Sequence, residues 1–223
     1  MIRAVLMDLD GTLIDTWKVY VQAYTGTLKR VMTRPLTSDQ MLALRPASEL
    51  NFFDRVLGKG RGKEVQPVFL DQYAQAHDSH FDGYYPGIPE MLATLRDASY
   101  ALAIVTGKSR GAWNVTIEKL PELELPVVIT EDEMPRPKPD PRGLTMALDA
   151  LGIAAQHAVY LGDSLVDAQA ARAAGMTGIA VLWAKSSAER PVFISEVTAA
   201  GAHLAETPQD VVRLVSQLSG ART

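Results

Sequence analysis

Ile2-Arg3-Ala4-Val5-Leu6-Met7-Asp8-Leu9-Asp10-Gly11-Thr12 opens the chain with a short apolar run that ends in two acids and a glycine. Residues 2–7 are rich in β-formers and read as a buried strand, closed by an Asp-Gly turn signal. Comparable runs recur at residues 100–105, 126–129, 158–161 and 177–181. Segments with helical spacing lie between them: 89–98 with Pro89 in its first turn, 141–151 with Asp140 as N-cap and Gly152 as stop, and 166–174 ended by Gly175. Residues 202–204 read as a last edge strand and 208–218 as a closing helix. Strand alternating with helix predicts an α/β fold, a doubly wound parallel sheet covered on both faces.

Between Asp15 and Gly83 the alternation stops. No buried strand is legible there, and the spacing predicts helices over 20–32, 38–44, 48–57 and 65–80, broken at Pro35, Pro46 and Gly58–Gly62. The expectation is an all-helical domain, residues 16–83, inserted into an α/β core of residues 1–15 and 84–223. The 223 residues are 47% hydrophobic and 22% charged, enough apolar content for a full core. Lys plus Arg number 22 and Asp plus Glu 26, a net charge of −4 that gives no electrostatic reason to expect nucleic acid or membrane as a partner. The absence of cysteine excludes disulfides, thiolate metal sites and thiol nucleophiles. No apolar run approaches the roughly 20 residues of a membrane span. The N-terminus does not read as a signal peptide, so the cytoplasm is the expected location. The surface suits a monomer or a homodimer equally.

Four places carry residues suited to chemistry, each with a plainer reading beside it. Asp8 and Asp10 stand at the carboxyl end of the first strand, where open α/β sheets bind ligands. Two acids this close repel unless a proton or a cation is shared, and a hard divalent ion such as Mg²⁺ takes oxygen ligands; the plainer reading is an ordinary turn. Thr106-Gly107-Lys108 also ends a strand and offers a hydroxyl, open amides and an ammonium to an anion, or else a helix cap and a solvated lysine. Arg136-Pro137-Lys138-Pro139-Asp140-Pro141 presents one lysine from a stiff backbone, or is only a rigid loop. Gly162-Asp163-Ser164-Leu165-Val166-Asp167 puts one acid at a strand end and another in the first helical turn, where it also complements the helix dipole. In a parallel sheet these ends share one edge. Together they make a site for a metal-bound phosphoryl group, with carboxylates on one side and a hydroxyl and an ammonium on the other.

Those motifs, Asp8-Leu9-Asp10-Gly11-Thr12, Thr106, Lys138 and Gly162-Asp163-Ser164 with Asp167, stand in the order found in the haloacid dehalogenase superfamily, and the chain resembles its phosphohydrolases over nearly its whole length. The inserted helices resemble the C1 cap of the branch containing phosphoglycolate phosphatase, pyrophosphatase and β-phosphoglucomutase. The resemblance implies that Asp8 is the nucleophile and Asp10 the general acid, then the base. It implies that Thr106 binds the transferring group, that Lys138 neutralises charge, and that Mg²⁺ is held by Asp8, Asp10 through its carbonyl, Asp163 and Asp167, the last orienting Lys138 or a metal-bound water. Gly11, Thr12, Gly107 and Lys108 complete the expected substrate-binding set. A halide leaves without an acid or a metal, so Asp10, Asp163 and Asp167 favour phosphate chemistry over dehalogenation. The implied activity is hydrolysis of a small phosphorylated metabolite, with phosphoglycolate the first candidate. Pyrophosphate hydrolysis and phosphomutase action are alternatives on the same site, and a non-catalytic binding protein is the alternative of another class.

The cap departs from the family pattern. Its specificity loop corresponds to Ala43-Leu44-Arg45-Pro46-Ala47, which lacks glycine; Arg45 is a candidate for a substrate carboxylate or second phosphate, or else is a solvated residue before a proline. Lys59, Arg61 and Lys63 among glycines do not make a Walker loop. His77-Asp78-Ser79-His80 has metal-like side chains but no evident third ligand, and reads as a polar helix end. Trp113 and Trp183 read as packing residues. Trp17 and Tyr20 stand where the chain leaves the first motif, and either is placed to line the cleft.

Overall fold

β1 (Ala4–Met7) is buried on both faces. In the computed structural model, which describes residues 1–33, 36–37, 40 and 48–220, it pairs in parallel with β2 (Ala101–Val105) on one side and β4 (Ala158–Gly162) on the other. β3 (Val128–Ile129) lies outside β2, and β5 (Thr177–Val181) and β6 (His203–Ala205) continue beyond β4, giving the order β3-β2-β1-β4-β5-β6. Side chains alternate across a strand, so β1 serves two apolar layers. Val5 and Met7 pack with α4 (Ile88–Asp97) and α9 (Pro208–Gly220), while Ala4 and Leu6 pack with α6 (Arg142–Leu151) and α7 (Leu165–Ala173). α8 (Arg190–Ala199) covers Ala180 of β5 and Leu182 beyond it. Parallel pairing brings the carboxyl ends of β1, β2 and β4 to one edge, where Asp8, Thr106 and Asp163 follow.

The chain leaves the core after Asp10 through a tight turn, in which Thr12 N and Leu13 N both donate to Leu9 O. Asp15 N donates to Gly83 O and Tyr85 N to Leu13 O, so the outgoing and returning strands of chain are tied together. Between them lie the cap helices α1 (Trp17–Val31), α2 (Glu49–Leu57) and α3 (Arg61–His80). Their buried faces meet in a knot of rings: Tyr24 is 4.2 Å from Phe52 and 5.4 Å from Phe69, and Phe53 is 5.4 Å from Phe69, measured between centroids. The core's α5 (Arg110–Ile117) joins this cluster through Ala112, and Gly111 lets α3 come close, because a Cβ there would sit 2.6 Å from Leu70 Cδ1.

One local finding revises the sequence expectation for the cap. Gly58 and Gly60 do break the chain, at φ +106° and +86°. Gly62, expected in the same break, lies inside the first turn of α3, which therefore begins at Arg61 rather than at residue 65. Its missing side chain is a packing device: a Cβ would stand 2.6 Å from Leu50 O, and its amide donates to Asp54 Oδ1 at 2.7 Å. Of the helix expected over 38–44 only Gln40 is among the described residues, and Arg45 lies outside them.

Candidate active site

Asp8 N donates to Leu161 O at 2.8 Å, so the last register position between β1 and β4 fixes the start of the site. Its carboxylate is buried, and Oδ1 has no hydrogen-bond partner. Asp163 stands beyond β4 and Asp167 in the first turn of α7; with Asp8 they offer oxygen atoms all within 4.8 Å of one another. Among the described residues they form the one group of three able to hold a metal ion. Gly11 makes room for it. Its φ is +77°, and a Cβ would fall 2.6 Å from Asp163 Oδ2. An all-carboxylate set with one orphaned buried oxygen suits a hard divalent cation of the Mg²⁺ type.

Lys138 faces this cluster. Its Nζ donates to Asp167 Oδ1 at 2.6 Å and to Tyr160 Oη at 2.9 Å, and lies 3.2 Å from Asp8 Oδ1 as an ion pair without hydrogen-bond alignment. Tyr160 passes its own proton to Val105 O at 2.7 Å. Asp167 is held by its capping box, accepting from Ser164 N at 3.1 Å and from the Ser164 hydroxyl. Burial works against the Lys138 ammonium, but Asp167 and Asp8 more than offset it and hold its pKa well above the ordinary lysine value. Burial, helped by Asp167, Asp163 and Asp10 against the opposing pull of Lys138, pushes the Asp8 carboxyl up to about 7. Burial raises Asp163 as well, against Lys185, whose Nζ lies 2.6 Å from Asp163 Oδ2. A divalent cation would reverse these upward shifts by favouring the anions.

Asp10 belongs to a different neighbourhood, although one residue separates it from Asp8. Its Oδ1 accepts from Thr16 Oγ1 at 2.6 Å and pairs with Lys108 Nζ at 3.1 Å, while Tyr20 Oη is 3.4 Å from Oδ2. Thr106 is buried at the end of β2, its Oγ1 accepting from Lys108 N at 3.2 Å. Thr12 is buried with an unpartnered hydroxyl, and its carbonyl accepts from Trp183 Nε1 at 3.0 Å, so Trp183 anchors the first motif loop as well as packing. Gly107 is half-buried between Thr106 and Lys108. His77, expected at a polar helix end, is instead buried in the cap, stacked 4.2 Å from Phe81, with neither ring nitrogen hydrogen-bonded.

The structure brings Asp8, Asp10, Thr106, Lys138, Asp163 and Asp167 to one sheet edge. Tyr160, Thr16, Lys185 and Tyr73 were not singled out in the sequence. Only Tyr160 left a signal there: it is a hydroxyl in the middle of a wholly buried strand, and such a group needs a partner.

The sequence profile of the haloacid dehalogenase-like hydrolases matches residues 5–181. The chain belongs to that family. Among its relatives, a pyrophosphatase PpaX of Listeria welshimeri is 30% identical over 189 residues, covering 82% of this chain and 84% of its own. A phosphoglycolate phosphatase of Nitrosospira multiformis is 32% identical over 197 residues, covering 78% and 80%. A crystal structure of a family IA, variant 3 hydrolase from Entamoeba histolytica superposes with a TM-score of 0.81 at 20% identity, over 98% of this chain and all (100%) of that one, a likeness of fold. With the acid cluster in this fold, the haloacid dehalogenase-like hydrolase described here is a phosphoric monoester hydrolase that uses an aspartate nucleophile on a small phosphate ester. No helix among the described residues is long and apolar enough to cross a membrane.

Proposed function

We propose that this hydrolase cleaves a small phosphomonoester, phosphoglycolate being the first candidate, with Mg²⁺ and through an aspartyl-phosphate on Asp8. The observation that carries the reading is the division of the two neighbouring acids. Asp8 shares the metal cluster and the Lys138 ammonium, whereas Asp10 stands outside that cluster, held by Thr16 and Lys108. Two carboxylates in unlike surroundings suit two roles.

Asp8 attacks phosphorus, the ester P–O bond breaks, and Asp10 gives its proton to the departing alkoxide. Asp10, now ionised, takes a proton from water; that oxygen attacks the aspartyl-phosphate at phosphorus, freeing phosphate and Asp8. Lys138 offsets negative charge on Asp8 and the incoming phosphoryl group, and the Thr106 hydroxyl with the Gly11, Thr12 and Gly107 backbone binds that group. Asp8, the Asp10 carbonyl and Asp163 would hold Mg²⁺, with Asp167 behind them. Bound there, the ion offsets the charge repulsion between nucleophile and phosphate.

The relatives' names support phosphomonoester and pyrophosphate chemistry alike, and the cap's Tyr20 beside Asp10 supports a small leaving group. The test is phosphate release from phosphoglycolate, pyrophosphate and sugar phosphates, with Mg²⁺ and with EDTA, beside Asp8→Asn. Fastest Mg²⁺-dependent release from phosphoglycolate, lost in the variant, is the expected result. Release led by pyrophosphate, or isomerisation of a sugar phosphate in place of release, would replace the substrate reading; release that persists in EDTA would overturn the metal role.

A further inference from the structure

Lys108 is fully enclosed, a position where an ammonium persists only if every N–H is met. A lysine has three donors. Here they meet Tyr73 Oη at 2.7 Å, Tyr20 Oη at 2.9 Å and Asp10 Oδ1 at 3.1 Å, so none remains for a substrate. The proton directions around it follow from this count. Tyr20, accepting from Lys108, gives its own proton to Glu49 Oε1 at 2.7 Å. Thr116 Oγ1 donates to Ala112 O at 3.1 Å, so the 3.0 Å contact between Tyr73 and Thr116 carries the tyrosine's proton. Both rings also lie against the cation, each centroid 4.5 Å from Nζ. Asp10 and Glu49 balance its charge; although burial opposes the ammonium, they and Tyr73 keep its pKa above the ordinary value.

Two cap side chains, Tyr20 from α1 and Tyr73 from α3, thus converge on one core lysine, with Glu49 of α2 behind Tyr20, and that lysine holds the acid next to the nucleophile. With Thr16, Lys108 holds Asp10 Oδ1 from two directions, leaving Oδ2 the less engaged oxygen.

Resting on the reading of Asp10 as general acid, we infer that Lys108 is a positioning residue rather than a substrate ligand: it sets the Asp10 carboxylate for proton delivery and ties that setting to the cap through Tyr20 and Tyr73. The consequence is selective. An alkoxide needs the proton that Asp10 supplies, whereas acetate leaves acetyl phosphate without one. kcat/KM reports the steps through phosphoryl transfer to Asp8, before water enters.

The experiment compares kcat/KM for phosphoglycolate and acetyl phosphate in the wild type, Lys108→Met and Tyr73→Phe, with Asp8→Asn as control, and determines a crystal structure of Lys108→Met. The expected loss in Lys108→Met is about 100-fold for phosphoglycolate and no more than about threefold for acetyl phosphate. Tyr73→Phe, which keeps the ring and the lysine, shifts the same ratio in the same direction by about fivefold. Equal losses on both substrates in both variants would reduce Lys108 to a structural residue and overturn the inference. An Asp10 carboxylate unmoved in the Lys108→Met crystal structure would overturn it too, whatever the wild type hydrolyses. A wild type inert toward both phosphates, with Asp10 displaced in that crystal structure, would instead overturn phosphoglycolate as the substrate and leave the positioning role supported.

Discussion

The core buries two apolar layers against a parallel sheet, whereas the cap closes around a knot of aromatic rings with one core ammonium set between two of them. In the core, backbone register delivers the chemistry: Asp8, Thr106 and Asp163 reach one edge because each directly follows a parallel strand. Among the described residues of the cap no strand delivers anything. Tyr20, Glu49 and Tyr73 reach the site through their own side chains, from three helices. Core substitutions that spare the side chains at the sheet edge and keep the register should leave the reaction in place, and cap substitutions should change alignment, affinity and stability one side chain at a time.

The largest effect expected from breaking this division lies in the core. Lys138→Met leaves Asp8 and Asp167 without their shared cation, and kcat should fall about 10³-fold on every substrate. Steady-state kinetics on two unlike esters check this; a loss confined to one of them would mean that the core, too, selects substrates.

The cap's largest expected effect is on stability in acid. Burial first, and the nearby Lys108 and Lys119, push His77 down to about 4 from an ordinary value of 6.5. A histidine lowered in this way contributes stability that is fully present above about pH 6.5 and is lost as pH falls toward 4, because the unfolded chain takes the proton first. Between pH 7 and 5 the loss should be about 2 kcal/mol. Denaturant titrations of wild type and His77→Leu at both values should show a smaller acid loss in the variant, while an equal loss in both would mean that His77 is not the titrating group.

The smallest effect should come from the joint between the two regions. Glu131, just beyond β3, accepts from the Ser48 hydroxyl, from Glu49 N at 2.8 Å and from Leu50 N at 3.3 Å, so a core carboxylate caps a cap helix. Ser48 also accepts from Asn51 N at 3.2 Å. Ser48→Ala should cost about 1 kcal/mol in the same denaturant assay with kcat nearly unchanged; a large loss of kcat would make this joint part of the reaction.

The same division explains what was legible in the sequence. β1, β4 and β5 stood out because each is an apolar run, and in β1 and β4 an acid follows directly, so the core's fold and its four motifs could be read along the chain. Gly62 misled because a glycine that breaks a helix and one that lets two helices touch look alike until the neighbour, here Leu50, is in place. Lys108 was visible as a cation at a strand end, but its partners Tyr20 and Tyr73 lie 88 and 35 residues away. The same holds for Tyr160 with Lys138, 22 residues apart, and Ser48 with Glu131, 83 apart. No local spacing encodes such pairs. Arg45, the residue proposed for substrate choice, lies outside the described residues.

The proposed mechanism requires a covalent phosphoryl group on Asp8. Acid quenching during turnover with Mg²⁺, borohydride reduction and peptide mapping test it directly, because reduction converts an aspartyl-phosphate to homoserine. Homoserine at position 8 in the wild type and none in Asp8→Asn is the predicted result. Sustained phosphate release with residue 8 unmodified, or modification at Asp10 in its place, would contradict the account.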